Sequence, residues 1–94
     1  MEGDLTGRTV RSLAGHDSGR LYIVLRTDGA FVFLSDGRLK PREGPKKKKI
    51  RHVEVLPGTL TAFTPESIEA ASNDEIRLAL KSLKNRLAIT FQEE

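Results

Sequence analysis

The 94-residue sequence predicts a mainly β domain with an α tail: a small closed antiparallel barrel followed by one short and one longer helix. Three observations lead there. Two apolar runs rich in β-formers, Leu21–Leu25 and Phe31–Leu34, are each followed by an Asp-Gly pair, at Asp28–Gly29 and Asp36–Gly37. Asp-Gly favours the tight primed turns that join antiparallel strands, because their central residues need positive φ. The strands are short and closely spaced, which suits a closed barrel without exposed edges. Finally, the pattern changes at Pro57–Gly58, and apolar residues then recur at helical spacing.

Each element has its own signal. "RTVRSL" opens the first strand. "RLYIVLR" forms the second, and its unbroken apolar run needs cover on both faces, one from the barrel interior and one from the tail. "AFVFLS" is the third. "IRHVEVL" is the last, with Ile50, Val53 and Val55 as its apolar residues. Positions 50 and 53 have opposite parity, so a bulge is expected near His52. Thr64, Pro65 and Glu66 supply a capping hydroxyl, a first-turn proline and an acid at the positive end of a short helix. Ser72 and Glu75 stand at capping-box spacing and restart the helix. Ile76, Leu80, Leu83 and Leu87 then make one apolar stripe, widened by Ala79. Arg77, Lys81 and Lys84 share the neighbouring flank, which is ordinarily only solvated. The expected division is a tail at 1–6, the barrel at 7–56, a linker at 57–64 and a helical extension at 65–91.

Composition narrows the function classes. The chain has no cysteine, so neither a disulfide nor a thiolate metal site is expected. The opening "MEGDLTGRTV" is acidic and has no apolar run, so a secretory signal is not expected. The apolar stretches fall far short of a membrane span. A cytoplasmic protein is the expectation. The net charge of +3 is modest but uneven: residues 1–58 carry +5 and residues 59–94 carry −2. Within 38–51, eight basic residues face Glu43 alone. Such local charge speaks about partners rather than fold.

No catalytic, cofactor or metal site is expected. His16, Asp17 and Ser18 are the residue types of a hydrolase triad, but chain neighbours do not converge on one reacting atom. His16 and His52 lack metal-ligand spacing, and no phosphate-binding Gly-rich loop is present. Lys46, Lys47, Lys48 and Lys49 read as a solvated loop between strands, stiffened by Pro41 and Pro45. A polyphosphate rewards that arrangement through counterion release. "PKKKKIR" also fits a nuclear-import patch. Phe31 and Phe33 share a sheet face, as stacking of unpaired bases requires, although core packing is the commoner role.

The stretch "VRSLAGHDSGRLYIVLRTDGAFVFLSDGRLKPREGPKKKKIRH" resembles the KOW family of ribosomal proteins and transcription-elongation factors, over residues 7–55. It is most similar to small bacterial KOW-domain RNA-binding proteins, which themselves look like large-subunit ribosomal proteins of archaea and eukaryotes. The resemblance implies an SH3-like barrel of about five antiparallel strands whose loops contact RNA. Gly19 matches the motif glycine and Arg20 its usual basic follower, while Ser18 stands where lysine is common. The expectation is a non-catalytic, cytoplasmic, ribosome-associated protein acting in translation and binding structured RNA, ribosomal RNA foremost. Its RNA-binding residues would be Arg11, His16, Ser18, Gly19, Arg20, Arg38, Lys40, Lys46, Lys47, Lys48, Lys49 and Arg51. The alternative is a protein-interaction module that docks on ribosomal or transcription proteins, with Leu78, off the main helical stripe, as a candidate contact. Neither a membrane nor a small-molecule substrate is expected as a partner.

Overall fold

Five strands pair antiparallel in one sheet: β1 (Thr9–Ser12), β2 (Leu21–Asp28), β3 (Phe31–Ser35), β4 (Lys46–Lys49) and β5 (Val53–Val55), in the order β4-β3-β2-β1-β5. Two helices follow, α1 (Pro65–Ala70) and α2 (Asn73–Gln92). The computed structural model describes residues 4–92, so the first three residues of the predicted tail lie outside the described residues. The first four strands form a meander, and β5 returns to pair with β1. The sheet is open: no pairing joins β4 to β5, so it keeps two edges where the sequence predicts none. A short 3-10 turn at Ile50–His52 separates those two strands and replaces the single strand expected over 50–56.

β2 explains the layering. Leu21 and Ile23 project to one side and join Leu56, Ile68, Ile76, Leu80 and Leu83 under the helices. Tyr22 and Val24 project to the other and pack with Val10, Val32, Leu34 and Val53. Both faces of the apolar run are therefore covered, as period-two alternation requires. Leu5 packs against the second cluster, so the start of the described chain is tied to the sheet. At the far end of β2 the register shifts by one residue: Leu25 and Arg26 together stand opposite Phe33. This bulge lets Leu25 pack towards the helices while Arg26 lies over the Phe33 ring.

The turns differ from the predicted type. Gly29 and Gly37 have φ of +60° and +74°, but no residue other than glycine has positive φ among the described residues. The β2–β3 hairpin thus turns through Gly29–Ala30 with only its first central residue at positive φ, the type II′ pattern rather than type I′. Asp36–Gly37 is no hairpin turn. It opens a long connection over 36–45, in which Asp36 Oδ1 accepts from the amides of Arg38 and Lys40, both at 2.9 Å.

The helices start where their caps predict. Thr64 Oγ1 accepts from the Ser67 amide at 3.0 Å, and Ser67 Oγ accepts from the Thr64 amide at 2.9 Å. Ser72 and Glu75 form the second box, at 3.1 and 2.8 Å. Ile76, Leu80 and Leu83 are buried, and each contributes about 1.5–3 kcal/mol by leaving water. The 36–45 connection locks the helices in place. Gly37 lies so close to α2 that a Cβ there would collide with the Asn73 carbonyl. Arg42 donates to the carbonyls of Ile68 (2.7 Å) and Glu69 (3.1 Å), closing the C-terminal end of α1. One of the eight cations in 38–51 is thus used inside the fold.

Candidate nucleic-acid interface

The lysine run is a strand, not a loop. Lys46–Lys49 pair along β3, from Leu34↔Lys46 to Phe31↔Lys49. Strand geometry sends successive side chains to opposite faces. The four charges therefore divide into two pairs with different surroundings.

Lys46 and Lys48 point towards the turn at 13–19. Lys48 Nζ donates to the Ala14 carbonyl at 3.0 Å and to Asp17 Oδ1 at 3.2 Å, and only 10% of its side chain is exposed. Lys46 Nζ lies 3.8 Å from Asp17 Oδ2. Asp17 also accepts from Ser12 Oγ at 2.9 Å and from the Tyr22 hydroxyl at 3.2 Å. Burial alone would raise the Asp17 pKa, but the Ser12 and Lys48 hydrogen bonds, the Lys48 charge and the Tyr22 hydroxyl outweigh it and hold the carboxyl below its usual range. Burial first, then the Asp17 charge and hydrogen bond, push Tyr22 up to about 12. Lys48 is thus an internal strut between β4 and the turn. Its expected role as an exposed phosphate ligand does not fit this position.

Around Asp17 lies an open groove of about 430 Å³ whose walls include His16, Arg20, Lys40, Lys46 and Leu39. Gly15 and Tyr22 complete the walls near the turn. Gly19 takes φ +90° and donates its amide to the Ser12 carbonyl at 2.7 Å. A Cβ added there would meet nothing within 4 Å, so the turn needs glycine for its conformation and not for close packing. Ser18 is exposed on the same turn.

Lys47 and Lys49 face the other way. Lys47 Nζ sits 4.4 Å from the centroid of Phe31 and 6.0 Å from that of Phe33, and the Arg26 guanidinium lies 3.9 Å over Phe33. Phe31 and Phe33 are half-buried and belong to neither core cluster, so the core role expected for them is filled instead by Val32 and Leu34. Beside them, Ala30, Phe31 and Ile50 line a shallow recess of about 550 Å³, with Lys49 and Arg51 at its rim.

Two expected residues lie elsewhere. Arg11 pairs with Glu54 at 2.9 Å across β1 and β5, at the end of the sheet away from β4, so its charge is already answered. Arg38 faces α2 in a second groove with Arg77, Lys81 and Lys84. Three residues that matter were given no binding role from the sequence. Asp17, weighed only as one of the residue types of a rejected hydrolase triad, is the hub of the groove. Arg26 and Arg42 gave no local signal for a stacking or capping role. Among the described residues, no cluster of three or more His, Asp or Glu side chains is placed to hold a metal ion, and no helix is long and apolar enough to cross a membrane. Comparison with known protein families and with curated proteins finds no match to this chain.

Proposed function

We propose that this domain is a non-catalytic RNA-binding module that grips the phosphate backbone of structured RNA, ribosomal RNA foremost. One observation carries the reading: Arg20, Lys40 and Lys46 converge on a groove in which Asp17, the one carboxylate among its described residues, is already answered by Lys48, which leaves a formal excess of three positive charges. A polyanion relieves that excess and releases its own counterions on binding. The outer face of β3 and β4 favours RNA over other polyanions. Half-buried Phe31 and Phe33, with Lys47, Lys49 and Arg51 around them, match the aromatic-plus-cation surfaces on which unpaired bases stack. The resemblance of residues 7–55 to KOW domains points the same way. The SH3-like barrel it implies is part of this proposal, and the apolar sheet face that clusters with Leu5 and Ile50 supports a curled sheet.

Two double variants test the reading: Lys40→Gln with Lys46→Gln in the groove, and Lys47→Gln with Lys49→Gln on the outer face. Each should lower the slope of log affinity against log salt by about 1.4–1.8 when a ribosomal RNA hairpin is titrated. Unchanged affinity and slope in both variants would reject it. Leu39 and Leu78, 59% and 53% exposed, favour a second reading as a protein-docking module. A complex from cells that survives nuclease treatment would support that one.

A further inference from the structure

The helical tail is more than a lid for the core. The close approach of Gly37 to the first turn of α2 brings the 36–40 turn against the basic flank of that helix. Arg38, Arg77, Lys81 and Lys84 there line a groove of about 360 Å³ together with Leu80, and Asp36 is the one acid among its described residues. Asp36 already accepts two backbone amides through Oδ1. Arg77 contacts Asp74 at 3.4 Å, but Asp74 is exposed. Among the described residues, Lys81 and Lys84 have no ion-pair partner. Among the described residues, the charges of Lys81 and Lys84 are thus left unanswered. One short segment of chain contributes to both grooves: Arg38 in one and Lys40 in the other are two residues apart, at most about 7 Å of extended chain.

We propose that this second groove binds phosphates of the same RNA, so that one backbone runs from Lys46 and Lys40 past Arg38 onto Lys81 and Lys84. The proposal rests on the RNA-binding reading above and adds the tail to the interface. A helix flank that is merely solvated needs no cation from another element beside it. Here Arg38 is delivered by a connection that glycine alone allows to pack this closely.

The test is the triple variant Arg77→Gln, Lys81→Gln, Lys84→Gln in the full chain, titrated with a labelled ribosomal RNA hairpin that carries single-stranded flanks. Glutamine keeps helix propensity close to that of arginine and lysine, so circular dichroism and thermal midpoint should be unchanged. The expected result is a salt slope reduced by about 2–2.7 and an affinity loss on the order of 10²-fold near 0.1 M salt. If the wild-type chain binds and the folded variant matches it in affinity and slope, the flank is only solvated and this inference falls alone. If the wild-type chain binds no RNA, the reading beneath it falls too. Poly-glutamate competing as well as RNA would assign the groove to acidic protein and overturn the proposal.

Discussion

Replacing Asp17 with asparagine separates the strut from the binding surface. Tyr22 is the only tyrosine and the chain has no tryptophan, so alkaline phenolate absorbance reports on this one side chain. The wild-type midpoint should lie at about 12, raised by burial first and then by the Asp17 charge and hydrogen bond. Asp17→Asn removes the charge and keeps the volume. The midpoint should fall, yet stay above the ordinary value near 10, because Tyr22 remains buried. The same change strips Lys48 of its counter-charge in a mostly buried setting, at a cost of about 3 kcal/mol. For a chain of this length that lowers the thermal midpoint by about 15 °C. The pH dependence follows from the signs. Asp17 is depressed in the fold, so its stabilisation is complete above the unfolded carboxyl value and is lost as pH falls through the folded one. Tyr22 is raised, so stability declines as pH climbs from the unfolded value of 10.0 towards about 12. The variant should lose the acid-limb contribution of Asp17. Its RNA affinity, measured where it is folded, should rise: Lys48 stays anchored to the Ala14 carbonyl, and the one carboxylate among the described residues of the groove has lost its charge. A wild-type midpoint near 10, or the same midpoint in both proteins, would refute the hub.

Two comparisons test the packing of the tail. Gly37→Ala should cost about 2 kcal/mol or more by urea unfolding, since it combines positive φ with a collision against Asn73, whereas Gly19→Ala meets open space and should cost only about 1 kcal/mol of backbone strain. Equal costs would contradict the close packing of the 36–45 connection on α2. Leu80→Ala should cost about 3 kcal/mol through the cavity it leaves, and Leu78→Ala, at a position 53% exposed, less than about 0.5 kcal/mol. Similar midpoints for the two would mean that the wrong helix face had been docked.

The features legible in the sequence are the local ones. The stripe Ile76–Leu80–Leu83, the Ser72–Glu75 box and the two-sided burial of Leu21–Val24 each depend on spacing within a few residues. The lysine strand was not legible. Lysine has weak β propensity and four like charges oppose one another, so nothing within residues 46–49 favours extension. The strand exists because β3 offers a hydrogen-bonding edge and because Asp17, 31 residues away from Lys48, answers the most buried charge. The placement of the phenylalanines failed for a related reason. Alternation in "FVFLS" offers two faces, Phe31 with Phe33 or Val32 with Leu34, and side-chain size argues for the aromatic pair. The opposite face is buried, and the bulge at Leu25 aims Arg26 onto Phe33, a detail that belongs to β2 rather than β3. Arg42 as a helix cap depends on a partner 26 residues away and leaves no trace in its own neighbourhood.

A different physical role competes for the same lysines. β4 is an edge strand, and lysines along an edge discourage pairing with another chain. That role accounts for Lys47 and Lys49 wherever they point, because any charge along the strand serves it. It does not account for Lys46 meeting Arg20 and Lys40, which come from two other segments of the chain, around one carboxylate. Edge protection needs charge along a line, whereas anion binding needs charge brought together from several directions. Lys48 connects the two roles. By anchoring to the Ala14 carbonyl and Asp17 it fixes β4 against the 13–19 turn, so Lys46 and Arg20 are held in position before any ligand arrives. Such preorganisation lowers the ordering cost of binding. The least exposed lysine of the run therefore contributes to binding through rigidity, and the more exposed cations around it supply the charge.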